Sequence, residues 1–465
     1  SIPAGEVVTQ DPPFGALVVP GVDGPASLGV SMGPPLTKPV ASIVVEPGES
    51  TRLVADKLAY RAVAVFTDGT SADVTLRAVW SSTQTAVASV DVTGAAKSLA
   101  AGDTTIAASL SGKSGGSTLH VKARIAENTD PVAAISTPAD DSTVYGRVDI
   151  TGTASDANFL RYELAYAPAG SNAWTLLAEG ASAVVAGTLG SLDPTVLQND
   201  LYTLRLRVYD RGDNMTEASV TVQVAGQRKV GLFSISIRDF TVPLGSIPIG
   251  IERVYDSRDK REGDFGFGWR LALDTLRVRS NRVLGTGWVR NVSGPTVSLA
   301  PTSPHKVSVT LADGRVEEFD MVVSPTSNIG SLDATHVVGF VARPGTLGTL
   351  EALANGDMLI VSDGAGDVLV DDATLEPYSP KLYRYTSAGR TSFDLSPDDG
   401  VHAVVDANGQ SLTFDHDGIT HSSGRKVTYA RDADDRIVAI TDPAGHVYTY
   451  GYDANGDLVT ASDAT

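Results

Sequence analysis

Seven histidines are the first candidates for chemistry: His120, His305, His336, His402, His416, His421 and His446. Only His416 and His421, in HDGITH with Asp415 and Asp417 alongside, approach metal-ligand spacing. A zinc site needs further ligands, and no cluster nearby supplies them, so a surface turn is the better reading. Cysteine is absent, which removes thiolate ligands and disulfides together. DANGD, Asp453–Asp457, has the look of a calcium loop, but an EF-hand beginning at Asp453 needs glycine sixth and glutamate twelfth. Leu458 and Ala464 stand there, and Gly456 comes fourth, so DANGD is expected to be a hairpin turn. Asp156, with Asp210 and Asp213 of VYDRGDN, offers hard oxygen ligands; calcium there is the one cofactor chemistry left open, against ordinary turns.

GDFGFGW, Gly263–Trp269, is no phosphate loop, because no strand–helix context or lysine follows it. No Gly-x-Ser-x-Gly elbow precedes a helix. The carboxylates of SPDDG and DADDR read as solvated turns, and nothing singles out a glycosidase pair. The tyrosine-rich strands fit packing better than sugar binding. The expectation is a chain that is not an enzyme, with no catalytic residue to name.

The elements that must carry these residues follow from composition. Of 465 residues, 46 are glycine and 24 proline, against 4 methionines, and 42% are hydrophobic. That balance predicts an all-β fold of short strands and turns, in about three domains. A net charge of −19 argues against nucleic acid as a partner. No apolar run reaches the roughly 20 residues of a membrane helix. Ser1 in place of methionine suggests a processed form or a fragment.

Residues 1–40, rich in Pro-Pro and Gly-Pro, lack periodicity and read as an extended arm or linker, whose Phe14, Leu17, Val18 and Val19 could dock on a neighbour. Residues 41–122 alternate between apolar runs and Gly/Asp/Ser turns, which predicts a β-sandwich with Trp80 at its core. Residues 128–226 predict a second sandwich. There Tyr162, Leu164 and Tyr166 line one face, and Leu204, Leu206 and Val208 another. In residues 228–465 the alternation continues: Phe233, Ile235 and Ile237 share a face, as do Phe265, Phe267 and Trp269. The glycines of GDFGFGW sit between the aromatics, where a second backbone could approach closely.

Two tandem units close the chain. Gly424–Ala444 and Gly445–Thr465, offset by 21 residues, share seven identities, including Gly424/Gly445, Tyr429/Tyr450, Asp432/Asp453 and Val438/Val459, with Ile437/Leu458 a conservative pair. Each is expected to be one β-hairpin, with tyrosine on the first strand and aspartate opening the turn. A shorter relative lies upstream at Gly409, Phe414 and Asp415.

The motif GHVYTYGYDANGDL, with Gly445, Tyr450, Tyr452, Asp453, Gly456 and Leu458, resembles the YD repeat of rearrangement-hotspot (RHS) proteins, also found in Tc-toxin shells and teneurins. Upstream, YDSRDKREGDFGFGWRL resembles the segment that leads into such repeats. It holds Tyr255, Asp256, Gly263, Phe265, Gly266, Phe267, Gly268 and Trp269. Residues 41–122 resemble a bacterial immunoglobulin-like group 2 domain through FTDGTSADVT, WSS, VASV, Gly94 and LAAGDTTIAA, and the second sandwich resembles immunoglobulin-like or fibronectin-like modules. The first repeat departs from the pattern, with Ala430–Asp432 where Gly-Tyr-Asp is expected. The resemblance implies the non-catalytic N-terminal part of a secreted or surface-exposed bacterial toxin. The sandwiches would serve as stalk, anchor or plug, and the repeats would start a shell around a C-terminal cargo. The alternative is an adhesin or structural surface protein that binds a target-cell surface, a glycan or a partner chain. A sheet ending at Thr465 would have a free edge, so the continuation of the chain or a second shell-forming chain is the expected partner.

Overall fold

The computed structural model describes residues 4–11, 27–32, 38–226, 229, 233–259, 262–272, 276–293, 296–325, 336–353, 358–362, 366–453 and 456–463. The fold is all-β; the helical element described is one 3-10 turn, Pro194–Val196. No helix among the described residues is long and apolar enough to cross a membrane.

The expected arm is not simply extended. Ala4–Asp11 and Ser27–Met32 pair antiparallel as a two-stranded ladder. Irregular register in that ladder hides the alternation that a sequence reading looks for. Phe14, Leu17, Val18 and Val19 lie outside the described residues.

The first sandwich stacks the sheet Val40–Glu46, Arg61–Phe66, Ser71–Asp73 on the sheet Glu49–Leu53, Lys113–Lys122, Gly102–Leu110, Val79–Ser82. Its centre is made of small and branched residues; Ala62, Ala64, Ile106 and Ala108 are fully buried. Trp80 is only half-buried at the margin of this core, which corrects its expected central place. The indole nitrogen donates to Thr75 O at 2.9 Å, and that bond holds the ring at the rim.

The second sandwich pairs a three-stranded sheet with a five-stranded one. Leu164, Leu204, Leu206 and Val208 are fully buried in it, on the faces that alternation predicts. Polar contacts join it onward: Asp200 accepts Arg279 at 2.9 Å, Arg282 reaches Asp140 and Asp141, and Thr221 donates to Asn281 O at 2.9 Å.

Two four-stranded sheets follow, packed on Trp288, Val307, Val309, Phe319 and Leu369. They share this core with a ten-stranded antiparallel meander. The meander runs Thr349–Ala352, Tyr383–Thr386, Ser392–Ser396, Gly400–Val405, Ser411–Asp415, Gly418–His421, Lys426–Arg431, Ile437–Thr441, Val447–Tyr452, Leu458–Ser462. From Tyr383 on, each strand pairs with its neighbour in sequence.

One turn generates much of the meander. At Ser387, Asp406, His421, Asp432, Asp442 and Asp453 the backbone N–H donates to the carbonyl four residues on. In each, the carbonyl of the same residue accepts from the N–H three residues on. This is a three-residue hairpin loop whose last residue must be left-handed. Gly409, Gly424, Gly445 and Gly456 meet that demand with φ of 81°, 83°, 93° and 84°, while Arg390 and Asp435 do so at 62° and 65°. Asp453, Gly456 and Asp457 of DANGD therefore close a hairpin, with Asp453 Oδ1 accepting Asp457 N at 3.0 Å, while Ala454 and Asn455 lie outside the described residues. The sequence repeat of 21 residues holds two such turns, one at Gly424 or Gly445 and one at Asp435 or Gly456.

Among the described residues nothing lies within 4 Å of a Cβ added at Gly445, so Gly445→Ala isolates the backbone cost of left-handed φ. It should destabilise by about 1 kcal/mol. Gly389→Ala, in the same sheet without positive φ and with only an ordinary 3.8 Å contact, should change little. Urea unfolding of the two variants checks the difference.

Candidate functional site

The residues singled out in the sequence converge where the lead-in segment lies across the repeat sheet. Ile249–Asp256 is the middle strand of a three-stranded sheet between Ser234–Val242 and Trp269–Leu271. Strand alternation turns Ile249, Ile251 and Arg253 to one buried face. That face packs on Leu412, Ile419, Val427, Ile437, Ile440 and Tyr450 of the meander.

Arg253 sits among these apolar side chains at 3% exposed, so its charge must be met locally. Its Nε and Nη2 both donate to the Asp239 carboxylate at 2.7 Å, and the Tyr450 hydroxyl donates to Asp239 Oδ2 at 2.8 Å. The guanidinium lies 5.1 Å from the centre of the Tyr450 ring and 5.4 Å from that of Trp269. Burial, then the bond to Asp239, pushes the Tyr450 hydroxyl well above the usual phenol range.

Aromatic and backbone contacts extend the junction. Phe240 stacks on Tyr448 at 4.2 Å, and Phe265 meets Tyr450 edge-on at 4.9 Å. Asp264 O accepts the Ile437 N–H at 2.7 Å, and Asp264 Oδ1 pairs with Arg431 at 2.9 Å. At Gly266, φ 84°, the repeat backbone leaves no room for a side chain: an added Cβ would lie 2.2 Å from Gly456 O. The close approach expected of the GDFGFGW glycines is thus made by the DANGD turn. The shared face expected for Phe265, Phe267 and Trp269 is not found. Phe265 is fully buried and Phe267 is 40% exposed, because left-handed φ at Gly266 and Gly268 breaks the alternation.

The remaining motif residues hold their neighbours in place. Asp432 Oδ1 accepts the Arg436 N–H, and Arg436 lies over the Tyr452 ring at 4.7 Å. Tyr452 donates to Ile437 O, and Tyr429 and Leu458 pack on the junction core. Tyr255 tilts against Trp269, and Gly263 lies beneath Trp269 O. Asp256 pairs with Arg258 and accepts Gln198 of the second sandwich at 3.2 Å. Sequence reasoning missed Asp239, Arg253, Asp264 and Arg431. A signal existed for Arg253, a charge in the core phase of IGIERVYD.

His416 and His421 do not meet. His416 is exposed between Asp417 and Asp435, and His421 is buried with Ser423. The acidic cluster also differs from expectation. Asp156 and Asp210 come together, but their third member is Glu127; all three carboxylates lie within 4.8 Å of one another. Asp213 turns away to pair with Arg124, which places it across the linker from Asp56. These three are the described residues that could hold a metal ion, and none of them is in an ion pair among the described residues.

Residues 431–465 match the model of the RHS repeat, and residues 230–279 match a domain of unknown function, DUF6531. The chain therefore carries an RHS repeat on the strands that close the junction. No curated protein matches. Among solved structures, domains 4–9 of the surface layer protein SbsC align at 12% identity and TM-score 0.22, covering 95% of this chain and 84% of that one. Extracellular cadherin domains 1–4 of protocadherin gamma B7 align at 12% and 0.14, covering 65% and 76%. The human desmocollin-1 ectodomain aligns at 11% and 0.13, covering 76% and 78%. At these TM-scores none of the three bears on function.

Two outcomes follow. Tyr450→Phe removes the donor to Asp239 and should cost about 1–2 kcal/mol at neutral pH. Because folding raises the hydroxyl's pKa, wild type loses stability as pH climbs past about 10, whereas phenylalanine does not titrate. Denaturation at pH 7, 9 and 10.5 should show the gap between the two proteins narrowing. Glu127→Gln removes one of three clustered like charges and should stabilise by on the order of 1 kcal/mol in chelating buffer, read as a rise in melting temperature.

Proposed function

We propose that this chain is a non-catalytic front section of a secreted or surface-exposed RHS-type shell protein. The sandwiches act as stalk, anchor or plug, and residues 230 onward begin the container. The observation that carries the reading is the lead-in segment laid across the repeat sheet and locked there by the Arg253–Asp239–Tyr450 contacts. A segment that covers one face of the first repeats gives a growing sheet a fixed starting position. The strand Leu458–Ser462, whose other edge has no partner among the described residues, supplies the ladder to which further strands add. The partner in this reading is more repeats, from the same chain or from a second shell-forming chain. The cargo is a toxic domain beyond them.

The test is intact mass and peptide mapping of the natural polypeptide, followed by expression of whatever follows the repeats. Further hairpin repeats and a terminal domain that arrests growth when expressed alone are expected. A natural chain with no further repeats, or a terminal domain that is harmless in every host tried, overturns the proposal and favours the adhesive alternative.

A further inference from the structure

Where the second sandwich, the lead-in segment and the first four-stranded sheet meet, they line an open cavity of about 240 Å³. Four cationic side chains line it, Lys229, Arg258, Arg270 and Arg277, in a protein whose net charge is −19. We propose that this cavity binds a small phosphate- or sulfate-type oxyanion that fastens the second sandwich to the sheets beyond it.

The charges around the cavity do not cancel. Arg258 is held by Asp256 at 2.6 Å, and Arg270 by Asp259. Arg277 and Arg279 share the single carboxylate of Asp200, at 3.4 and 2.9 Å. Lys229 donates to Pro194 O at 3.0 Å and has no carboxylate within ion-pair distance among the described residues. Of the two acids on the wall, Asp256 is taken by Arg258 and Asp313 by Arg315. Burial and the nearby Arg258 push the Lys229 ammonium down to about 8, with Asp193 opposing. An anion placed beside it would relieve both effects.

A neutral donor is also in place. Thr310 lines the cavity at 2% exposed, and its Oγ1 has no hydrogen-bond partner among the described residues. A buried hydroxyl without a partner costs free energy, and a bound oxygen would satisfy it. Ammonium, guanidinium and hydroxyl around one small volume form a donor set suited to a tetrahedral oxyanion. Because the walls come from three parts of the chain, a bound anion would bridge elements that otherwise meet through separate polar pairs.

The test uses the full chain and follows its melting temperature in sodium sulfate against sodium chloride at matched ionic strength. Wild type should rise saturably at millimolar sulfate. Lys229→Met should need at least tenfold more, and Thr310→Val several-fold more, while Lys381→Met, at an exposed lysine away from the cavity, should match wild type. General salting-out raises every variant alike without saturation, and that result overturns the proposal. If Lys229→Met does not fold, Thr310→Val against Lys381→Met decides the matter in the same way. Parallel runs with inorganic phosphate and glycerol 3-phosphate separate a free ion from a phosphate ester. Saturable stabilisation by either supports the site, and none by any of the three oxyanions overturns it.

Discussion

A meander that buries one face must be covered by something, and that requirement governs the second half of this molecule. From Ser392 on, the strands pair only with their neighbours in sequence among the described residues, so none crosses back to roof the sheet. The apolar residues Leu412, Ile419, Val427, Ile437 and Ile440 would otherwise face water. The earlier strand Ile249–Asp256 supplies the cover, at a sequence separation of well over a hundred residues. Apolar contact alone would tolerate sliding between two flat β faces. A buried charge does not, because the Asp239 that holds Arg253 within the lead-in sheet meets the Tyr450 hydroxyl, and Arg253 the Tyr450 ring, in one register only. Specificity of docking therefore resides in the Arg253–Asp239–Tyr450 group, and bulk stability in the aliphatic residues around it.

The turn is the second constraint. A three-residue loop with a left-handed last residue matches the twist of paired strands, so repeating it adds hairpins without changing the geometry. Aspartate at the first position caps the loop from its side chain, as at Asp406, Asp432 and Asp442, each of which accepts two backbone N–H groups. Gly456 does more than satisfy its own turn. Its carbonyl is the surface on which Gly266 rests, so the same loop shapes the hairpin and receives the lead-in segment.

The all-β character was legible because alternation and turn residues repeat over long stretches, and Leu204, Leu206 and Val208 fell where alternation puts them. Within the repeats, Gly424, Gly445 and Gly456 were legible as motif positions, though not as one structural role met twice per repeat. The extent of the meander was not legible. Arg390 occupies a left-handed position without being glycine, so the turn at Ser387 carries no sequence signature. Trp80 was misplaced because size suggested a core centre, whereas its N–H needed a carbonyl found at the rim. Asp239 was illegible as a partner of Arg253 because the pairing is set by strand register, and its third member comes from a strand about two hundred residues away. The same limit applies to the carboxylates. Glu127 lies in the linker, and only folding brings it to Asp156 and Asp210.

Each sandwich closes its own core, and the contacts between units are polar. Arg52 meets Glu179 between the sandwiches, and Asp140, Asp141 and Asp200 meet arginines of the sheet beyond. Junctions of this kind contribute little net stability, since charges removed from water recover mainly what desolvation cost them. What they do is select an angle, because a guanidinium shared with a carboxylate is directional where an aliphatic contact is not. The molecule thus uses apolar packing to make each unit and charge to orient it. At the repeat junction the two are combined in one place, so the joint between lead-in segment and meander is both buried and oriented. That combination distinguishes it from the joints between the sandwiches, which are oriented but only partly buried.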